Sequence, residues 1–173
     1  MKPPLSVRLH RLHLPSGAAR LGNRLSRVRY VRGHGVHSPF VYALVRQVFM
    51  RRELLPGDRT LYEALLAAGT PVRRAVQLQN LAIHCGYDGF GMNRAEGALC
   101  VATRALPLSE TLALVAGACE AGRTVVVMEP YEGSLRLDMC RRIVAAHRST
   151  SVDNRAYLLL FNSPSLPRQH YRL

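Results

Sequence analysis

Thr124-Val-Val-Val-Met128 is the stretch that most directly indicates the fold, because it is uncharged and rich in β-branched residues. Such runs are typical of strands that are covered on both faces. A second compact apolar run, Ala98-Leu-Cys-Val-Ala102, lies upstream. Between the two runs, apolar residues at helical spacing predict a helix over residues 109–121, which Ser109 can cap and Gly122 ends. A strand, a helix and a strand with tight connections indicate a right-handed crossover in an α/β sheet.

The same alternation continues on both sides of this unit. Downstream, the pattern predicts a helix over residues 134–146 and a further strand over residues 156–161. Upstream, it predicts a short helix over residues 61–68, which Gly69 ends, while residues 74–79 fit either a strand or a short helix. The sequence therefore predicts an α/β fold with a Rossmann-like sheet of about five strands.

The N-terminal segment has the pattern of a helical arm. Residues 18–32 predict an amphipathic helix with arginines on its polar face. A second helix is predicted to begin at Ser38, whose hydroxyl can act as the N-cap, with Pro39 in the first turn, where its missing N–H is tolerated. We therefore divide the chain into a basic helical arm with the capped helix, residues 1–58, and a Rossmann-like α/β domain, residues 59–173.

Charge is distributed unevenly along the 173 residues. Residues 1–52 hold eleven Lys and Arg and no Asp or Glu, whereas the remainder holds thirteen basic and eleven acidic residues, so the net charge is +13. No apolar run approaches the roughly 20 residues that span a bilayer, and no signal-peptide core follows the N-terminus. The four cysteines form no Cys-x-x-Cys pair. We therefore expect a cytoplasmic protein with reduced thiols, without a transmembrane segment and without a bound metal.

Two terminal segments resemble one protein family. His34-Gly-Val-His-Ser-Pro-Phe-Val41 and the tail Ser165-Leu-Pro-Arg-Gln-His-Tyr-Arg-Leu173 resemble a bacterial group of class I SAM-dependent methyltransferase-like proteins. The resemblance covers about residues 30–50 and 120–173, whereas residues 70–105 depart from the pattern of the group. It implies a helix in front of a Rossmann-like domain of reduced methyltransferase type, whose last strand runs antiparallel at the sheet edge. It also implies S-adenosylmethionine (SAM) as the cofactor.

The resemblance also implies where the cofactor would bind. Proteins of this type carry a glycine-rich turn between the first strand and its helix. The nearest candidate is a loop that contains Gly86, Asp88, Gly89 and Gly91. An ordinary glycine-rich loop is the alternative. Glu129, which follows a buried strand, can bind hydroxyl groups or act as a base, or else cap the next helix or pair with an arginine. The 113 residues after residue 60 (173 − 60) are few for a complete domain of this type, so a shortened relative is expected.

Other residues are candidates for a substrate or polyanion site. His34 and His37 can contact a substrate or a metal, or only order the turn before the next helix. Tyr131 follows a strand end, where the ligands of α/β sheets bind. From the arm we add Arg24, Arg27 and Arg29. Such arginines can contact the phosphates of RNA, and their helix can alternatively dock on the domain or lie on an anionic membrane.

Two functions follow from these observations. The first is a SAM-dependent methyltransferase-like protein, with or without retained catalysis. The second is a non-catalytic basic module that binds RNA or another polyanion through residues 1–52. An open cofactor pocket favours the first function, and a filled one favours the second.

Overall fold

A computed structural model of the chain describes residues 38–173. This part of the chain has an α/β, Rossmann-like fold, in which a mixed six-stranded sheet lies between two helical layers. Its helices are α1 (Pro39–Leu44, followed by a π-helical turn, Val45–Phe49), α2 (Thr60–Ala67), α3 (Val72–Cys85), α4 (Leu108–Glu120) and α5 (Gly133–Ala146). Its strands are β1 (Phe90–Met92), β2 (Leu99–Ala102), β3 (Thr124–Met128), β4 (Ser151–Asp153), β5 (Tyr157–Leu160) and β6 (His170–Arg172). The helix predicted over residues 18–32 lies outside the described residues.

The strand order in the sheet is β1-β2-β3-β5-β4-β6. β1, β2 and β3 are mutually parallel, β5 is antiparallel to both β3 and β4, and β6 is parallel to β4. The resemblance implied an antiparallel last apolar strand, and β5 runs in that direction. Its expected place at the sheet edge is wrong, because β3 and β4 pair with its two sides. The sheet has six strands rather than about five, since β1, β4 and β6 have three residues each, too few for a periodic signal.

The predicted start of α1 is confirmed, and that of α4 is not. The Val41 N–H donates to Ser38 Oγ at 3.4 Å, and Pro39 lies in the first turn. The prediction that Ser109 caps α4 is wrong, because α4 begins at Leu108, and no side chain caps it. A proline at the N-cap position, rather than a serine, therefore precedes this helix.

Residues 74–79, which fitted either a strand or a helix, lie in the middle of α3. The stretch is ambiguous in sequence because it places polar amide side chains among buried apolar ones. Gln77 Nε2 donates to the Phe49 carbonyl oxygen at 2.9 Å, and Asn80 Oδ1 accepts from the Leu55 N–H at 2.8 Å. These buried amides satisfy loop backbone groups and fasten the α1–α2 connection to α3.

Alternate strand residues face two apolar cores. On one face of the sheet, Val101 and Val126 belong to the core that α1, α2 and α3 cover, and α1 contributes Val41 to it. On the other face, Val125 and Val127 belong to the core that α4 and α5 cover. The described part of the N-terminal segment therefore packs into the same core as the sheet.

His147, at the C-terminal end of α5, predicts a pH-dependent stability. Its side chain is buried, and its Nε2 donates to the Phe161 carbonyl oxygen at 3.1 Å. Burial lowers the pKa of His147 below its usual value of 6.5. The unfolded chain then binds a proton more readily than the folded one, so the free energy of unfolding should fall as the pH drops below about 6.5. Urea unfolding between about pH 7.5 and about pH 5 checks this, and His147→Gln should reduce the loss.

Two other titratable groups, His170 and Asp58, must be considered when that experiment is interpreted. Burial also lowers the pKa of His170, so His170→Gln serves as the companion variant that measures its separate share. The Thr60 hydroxyl lowers the pKa of Asp58 below 3.8, which keeps this carboxylate ionised over the interval. An acid loss that is the same in wild type and in His147→Gln would contradict the assignment.

Candidate functional site

Five of the six strands end at the same edge of the sheet. β1, β2 and β3 are parallel, and β4 and β6 share their direction because β5 runs opposite to both β3 and β4. We call this the carboxyl edge and the opposite one the amino edge. Ligands of open α/β sheets bind beyond the carboxyl ends of strands, so the side chains that follow these strands form the candidate site.

Glu129 lies at the carboxyl edge, directly after β3. Its backbone φ is +50°, and its N–H donates to the Ala156 carbonyl oxygen at 2.8 Å. Its Oε2 lies 3.9 Å from Nη1 of Arg104, which follows β2, and Arg104 Nε lies 2.6 Å from Glu132 Oε1. Glu129 therefore has an arginine partner, which is one of the alternatives to a cofactor role.

Tyr131 also lies at the carboxyl edge, where its hydroxyl donates to Asp153 Oδ2. Asp153 is the last residue of β4 and is buried, and its Oδ1 accepts from the Arg155 N–H at 2.7 Å. Burial, and then the Asp153 carboxylate, raise the pKa of Tyr131 to about 12. At neutral pH the phenol is therefore a hydrogen-bond donor and not a base. Sequence reasoning did not select Asp153, although an acidic residue at a strand end was the signal to follow.

The glycine-rich loop lies at the amino edge. Gly86 ends α3 in the left-handed region with a φ of +64°, and Asp88 and Gly89 lead into β1. The Tyr87 hydroxyl hydrogen-bonds at 2.7 Å to Oγ1 of Thr124, the first residue of β3. The loop thus connects a helix to a strand, whereas a cofactor-binding turn connects a strand to a helix.

The structure does not bring the candidate cofactor residues together. Glu129 follows the five-residue strand β3, which separates it by roughly 15 Å from the amino edge. Gly91 lies within β1, and a Cβ added there would be 2.6 Å from the Arg94 carbonyl oxygen. The loop and Glu129 therefore do not border one common pocket.

The chain returns from β1 to β2 through residues 93–98, without a helix. A Cβ at Gly97 would lie 2.7 Å from the Phe90 backbone nitrogen, so the return is packed backbone against backbone. At the carboxyl edge, Asn93 Oδ1 accepts from the Thr103 N–H at 2.8 Å. Contacts within the chain therefore hold the β1–β2 return at both edges of the sheet.

The layer formed by α1, α2 and α3 carries exposed arginines without carboxylate partners. These are Arg46, Arg51, Arg52, Arg59 and Arg73, which we call the exposed arginine group. Within residues 38–173, none of them forms an ion pair. Residues 38–85 contain six arginines and three carboxylates, so this layer has an excess of positive charge.

The cysteine thiols are not activated nucleophiles. All four are free, and burial raises the pKa of each, that of Cys140 to about 11. A raised thiol pKa leaves little thiolate at neutral pH. Within the described part of the chain, acid–base chemistry would therefore use groups of the carboxyl edge rather than a thiol.

Several sequence candidates lie outside the described residues. They are Arg24, Arg27, Arg29, His34 and His37. In the part of the chain that the structure describes, no three His, Cys, Asp or Glu residues are grouped so that they could hold a metal ion. In that same part, no helix has both the length and the apolar character that a membrane crossing requires.

The described site residues fall into two groups. Glu129, Tyr131 and Asp153 lie at the carboxyl edge, and the exposed arginine group lies on the layer of α1, α2 and α3. In comparisons with known proteins, no family model, no curated protein and no solved structure matches the chain.

Proposed function

We propose that the protein is a non-catalytic binding module that holds RNA or another polyanion on residues 1–52. The observation that carries the proposal is the exposed arginine group, whose members have no carboxylate partner in the described part of the chain. A surface guanidinium of this kind can form charge-assisted hydrogen bonds with a phosphate, and binding then releases counterions. A paired arginine would first have to leave its carboxylate.

Three members of the exposed arginine group lie on or next to an element that is anchored in the first core. Arg46 lies on the π-helical turn, and Arg51 and Arg52 follow it closely. Val48 and Phe49 of the same turn are buried in the first core. An anchored backbone limits the conformational freedom that is lost on binding, which favours affinity.

The charge pattern of residues 1–52 supports the same function. This segment holds eleven basic residues and no acidic one, so no carboxylate within it repels a phosphate. Arg59 and Arg73 extend the exposed arginine group beyond the segment. The excess of basic residues in residues 1–52 is therefore followed, on the folded domain, by further exposed arginines that a polyanion can contact.

The fold around β1 supports the part of the proposal that the module is non-catalytic. The glycine-rich loop lies at the amino edge, and the chain passes from β1 to β2 without a helix. Asn93, which follows β1, uses its side-chain carbonyl to bond the Thr103 N–H. The loop that would hold a cofactor is therefore remote from the edge where the ligands of α/β sheets bind.

The proposal is tested by titrating a fluorescently labelled single-stranded RNA with the full-length chain and measuring its anisotropy. We expect saturable binding, and weaker binding by the full-length variant with Arg24→Gln, Arg27→Gln and Arg29→Gln. Circular dichroism of both proteins confirms that they are equally folded. Equal affinities, or no binding by the wild type, would contradict the proposal.

A SAM-dependent methyltransferase-like function is the second candidate. It is supported by the Rossmann-like sheet, by the antiparallel direction of β5 that the resemblance implies, and by Glu129 at the carboxyl edge. Methyl transfer needs mainly proximity and alignment of the reactants, so it makes little demand on an activated side chain. Calorimetric titration with SAM and its demethylated product separates the candidates. The first proposal predicts no heat of binding, whereas saturable heat that Glu129→Gln weakens would favour the second.

A further inference from the structure

A small cleft lies between α5 and the part of the sheet that β4 and β6 form. Its volume is about 240 Å³. Sites for drug-sized ligands occupy roughly 300–1,000 Å³, so this cleft suits a smaller molecule. Apolar side chains of Leu137, Val144 and Leu158 line it, together with a set of polar groups. We call it the α5 cleft.

The α5 cleft contains one buried carboxylate, that of Asp153, which is 7% exposed. The Tyr131 hydroxyl donates to its Oδ2, and the Arg155 N–H donates to its Oδ1 at 2.7 Å. These two bonds fix the carboxylate in place. Each carboxylate oxygen has more than one lone pair, so Asp153 can still accept a hydrogen bond from a ligand.

Exposed cationic and imidazole side chains complete the lining of the cleft. Arg141 and Arg172 are exposed, and neither forms an ion pair within the part of the chain that is described. His170 Nδ1 hydrogen-bonds to the Ser151 hydroxyl at 2.9 Å, which orients the ring. The cleft therefore combines an apolar lining, two guanidinium groups for an anion and one fixed acceptor for a donor.

We propose that the α5 cleft binds a small amphipathic carboxylate with a neighbouring ammonium or hydroxyl group. Its apolar body packs on Leu137 and Val144, its carboxylate pairs with Arg141 and Arg172, and its donor group bonds to Asp153. Guanidinium groups match the planar geometry of a carboxylate. A ligand without the donor lacks the hydrogen bond to Asp153 and binds less well. The cleft lies on the opposite face of the sheet from the exposed arginine group, so this site does not depend on RNA binding.

Three related probes test the proposal in calorimetric titrations of the full-length protein. L-Phenylalanine carries the apolar body, the carboxylate and the ammonium group. L-Phenylalaninamide lacks the carboxylate, and 3-phenylpropionate lacks the donor. We expect L-phenylalanine to bind saturably at millimolar concentrations or below. The other two probes should bind at least about tenfold more weakly. No saturable binding of any probe, or equal affinity for all three, would overturn the proposal.

A pair of adjacent arginines provides the matched variants. Arg141→Gln removes a guanidinium of the cleft and should weaken L-phenylalanine about tenfold, with little effect on L-phenylalaninamide. Arg142→Gln should have no effect, because Arg142 does not line the cleft and pairs with Asp138 at 2.9 Å. Both side chains are exposed, so both variants should fold. The same loss in the two variants would mean that the cleft does not hold the carboxylate.

Discussion

Replacing Arg46, Arg51 and Arg52 together by glutamine is expected to weaken binding of single-stranded RNA on the order of 100-fold at about 0.1 M salt. Each phosphate contact on a single strand makes the slope of log K against log salt more negative by about 0.7. At about 0.1 M salt, each contact therefore raises the affinity about fivefold relative to about 1 M salt. Three such contacts multiply to the expected loss. All three side chains are exposed, so the variant should fold normally. Anisotropy titration of labelled RNA with both proteins measures the ratio.

The matched control removes the same number of charges elsewhere, through Arg94→Gln, Arg142→Gln and Arg148→Gln. Arg94 pairs with Glu96 and Arg142 with Asp138, so two of the three are already engaged. This control should lose far less affinity, because salt screens charges that do not contact the RNA. Equal losses in the two triple variants would mean that net charge alone governs binding, which would contradict a role for the exposed arginine group.

Gly97→Ala is expected to lower the free energy of unfolding by roughly 2–5 kcal/mol, which combines overpacking with the cost of a left-handed backbone. The added Cβ would lie 2.7 Å from the Phe90 nitrogen and 2.8 Å from the Gly89 carbonyl carbon, and the φ of Gly97 is +69°. Because the clash is with backbone, no side-chain rotation can relieve it. Thermal unfolding should show a Tm lower by about 5–15 °C.

Two further glycines calibrate this measurement. Gly117 lies in α4 with no atom within 4 Å of an added Cβ, so Gly117→Ala should be neutral or raise stability by about 0.5–1 kcal/mol. Gly89 also has open space but a φ of +77°, so Gly89→Ala should cost about 1–2 kcal/mol. A Gly97→Ala protein as stable as Gly117→Ala would mean that the β1–β2 return is not tightly packed.

The central strands and their helices could be predicted because their signals are local. The run predicted over 124–128 is β3, and the runs over 98–102 and 156–161 contain β2 and β5. An uncharged, β-branched run leaves few alternatives to a buried strand. The place of β5 inside the sheet could not be predicted in the same way, because it depends on β4, a three-residue strand without a periodic pattern.

The glycine-rich loop shows why a pattern can be interpreted in two ways. Glycine is needed wherever backbone approaches another group closely, whether that group is a ligand or more backbone. Around β1 the neighbours are backbone, since an added Cβ at Gly91 meets backbone atoms of Arg94 and Glu96, and one at Gly97 meets backbone atoms of Gly89 and Phe90. The Gly86 position instead ends a helix. Only the structure distinguishes these uses.

The sequence predicts residues of the candidate site one at a time, without their contacts. Tyr131 and Glu129 were selected because they follow an evident strand. Asp153 became a partner of Tyr131 only through the fold, since β4 and β3 are separated by the antiparallel β5. A contact between residues 22 positions apart depends on strand order, which local patterns do not encode.

The most direct test of polyanion binding is the salt dependence of RNA affinity for the full-length protein. If Arg46, Arg51 and Arg52 alone contact phosphates, the slope of log K against log salt should be about −2, and contacts from the arm should make it steeper. A measured slope steeper than about −2, which becomes shallower by about 2 when Arg46, Arg51 and Arg52 are replaced by glutamine, is the result that we expect. A slope near zero, or no binding at low salt, would contradict the proposed function.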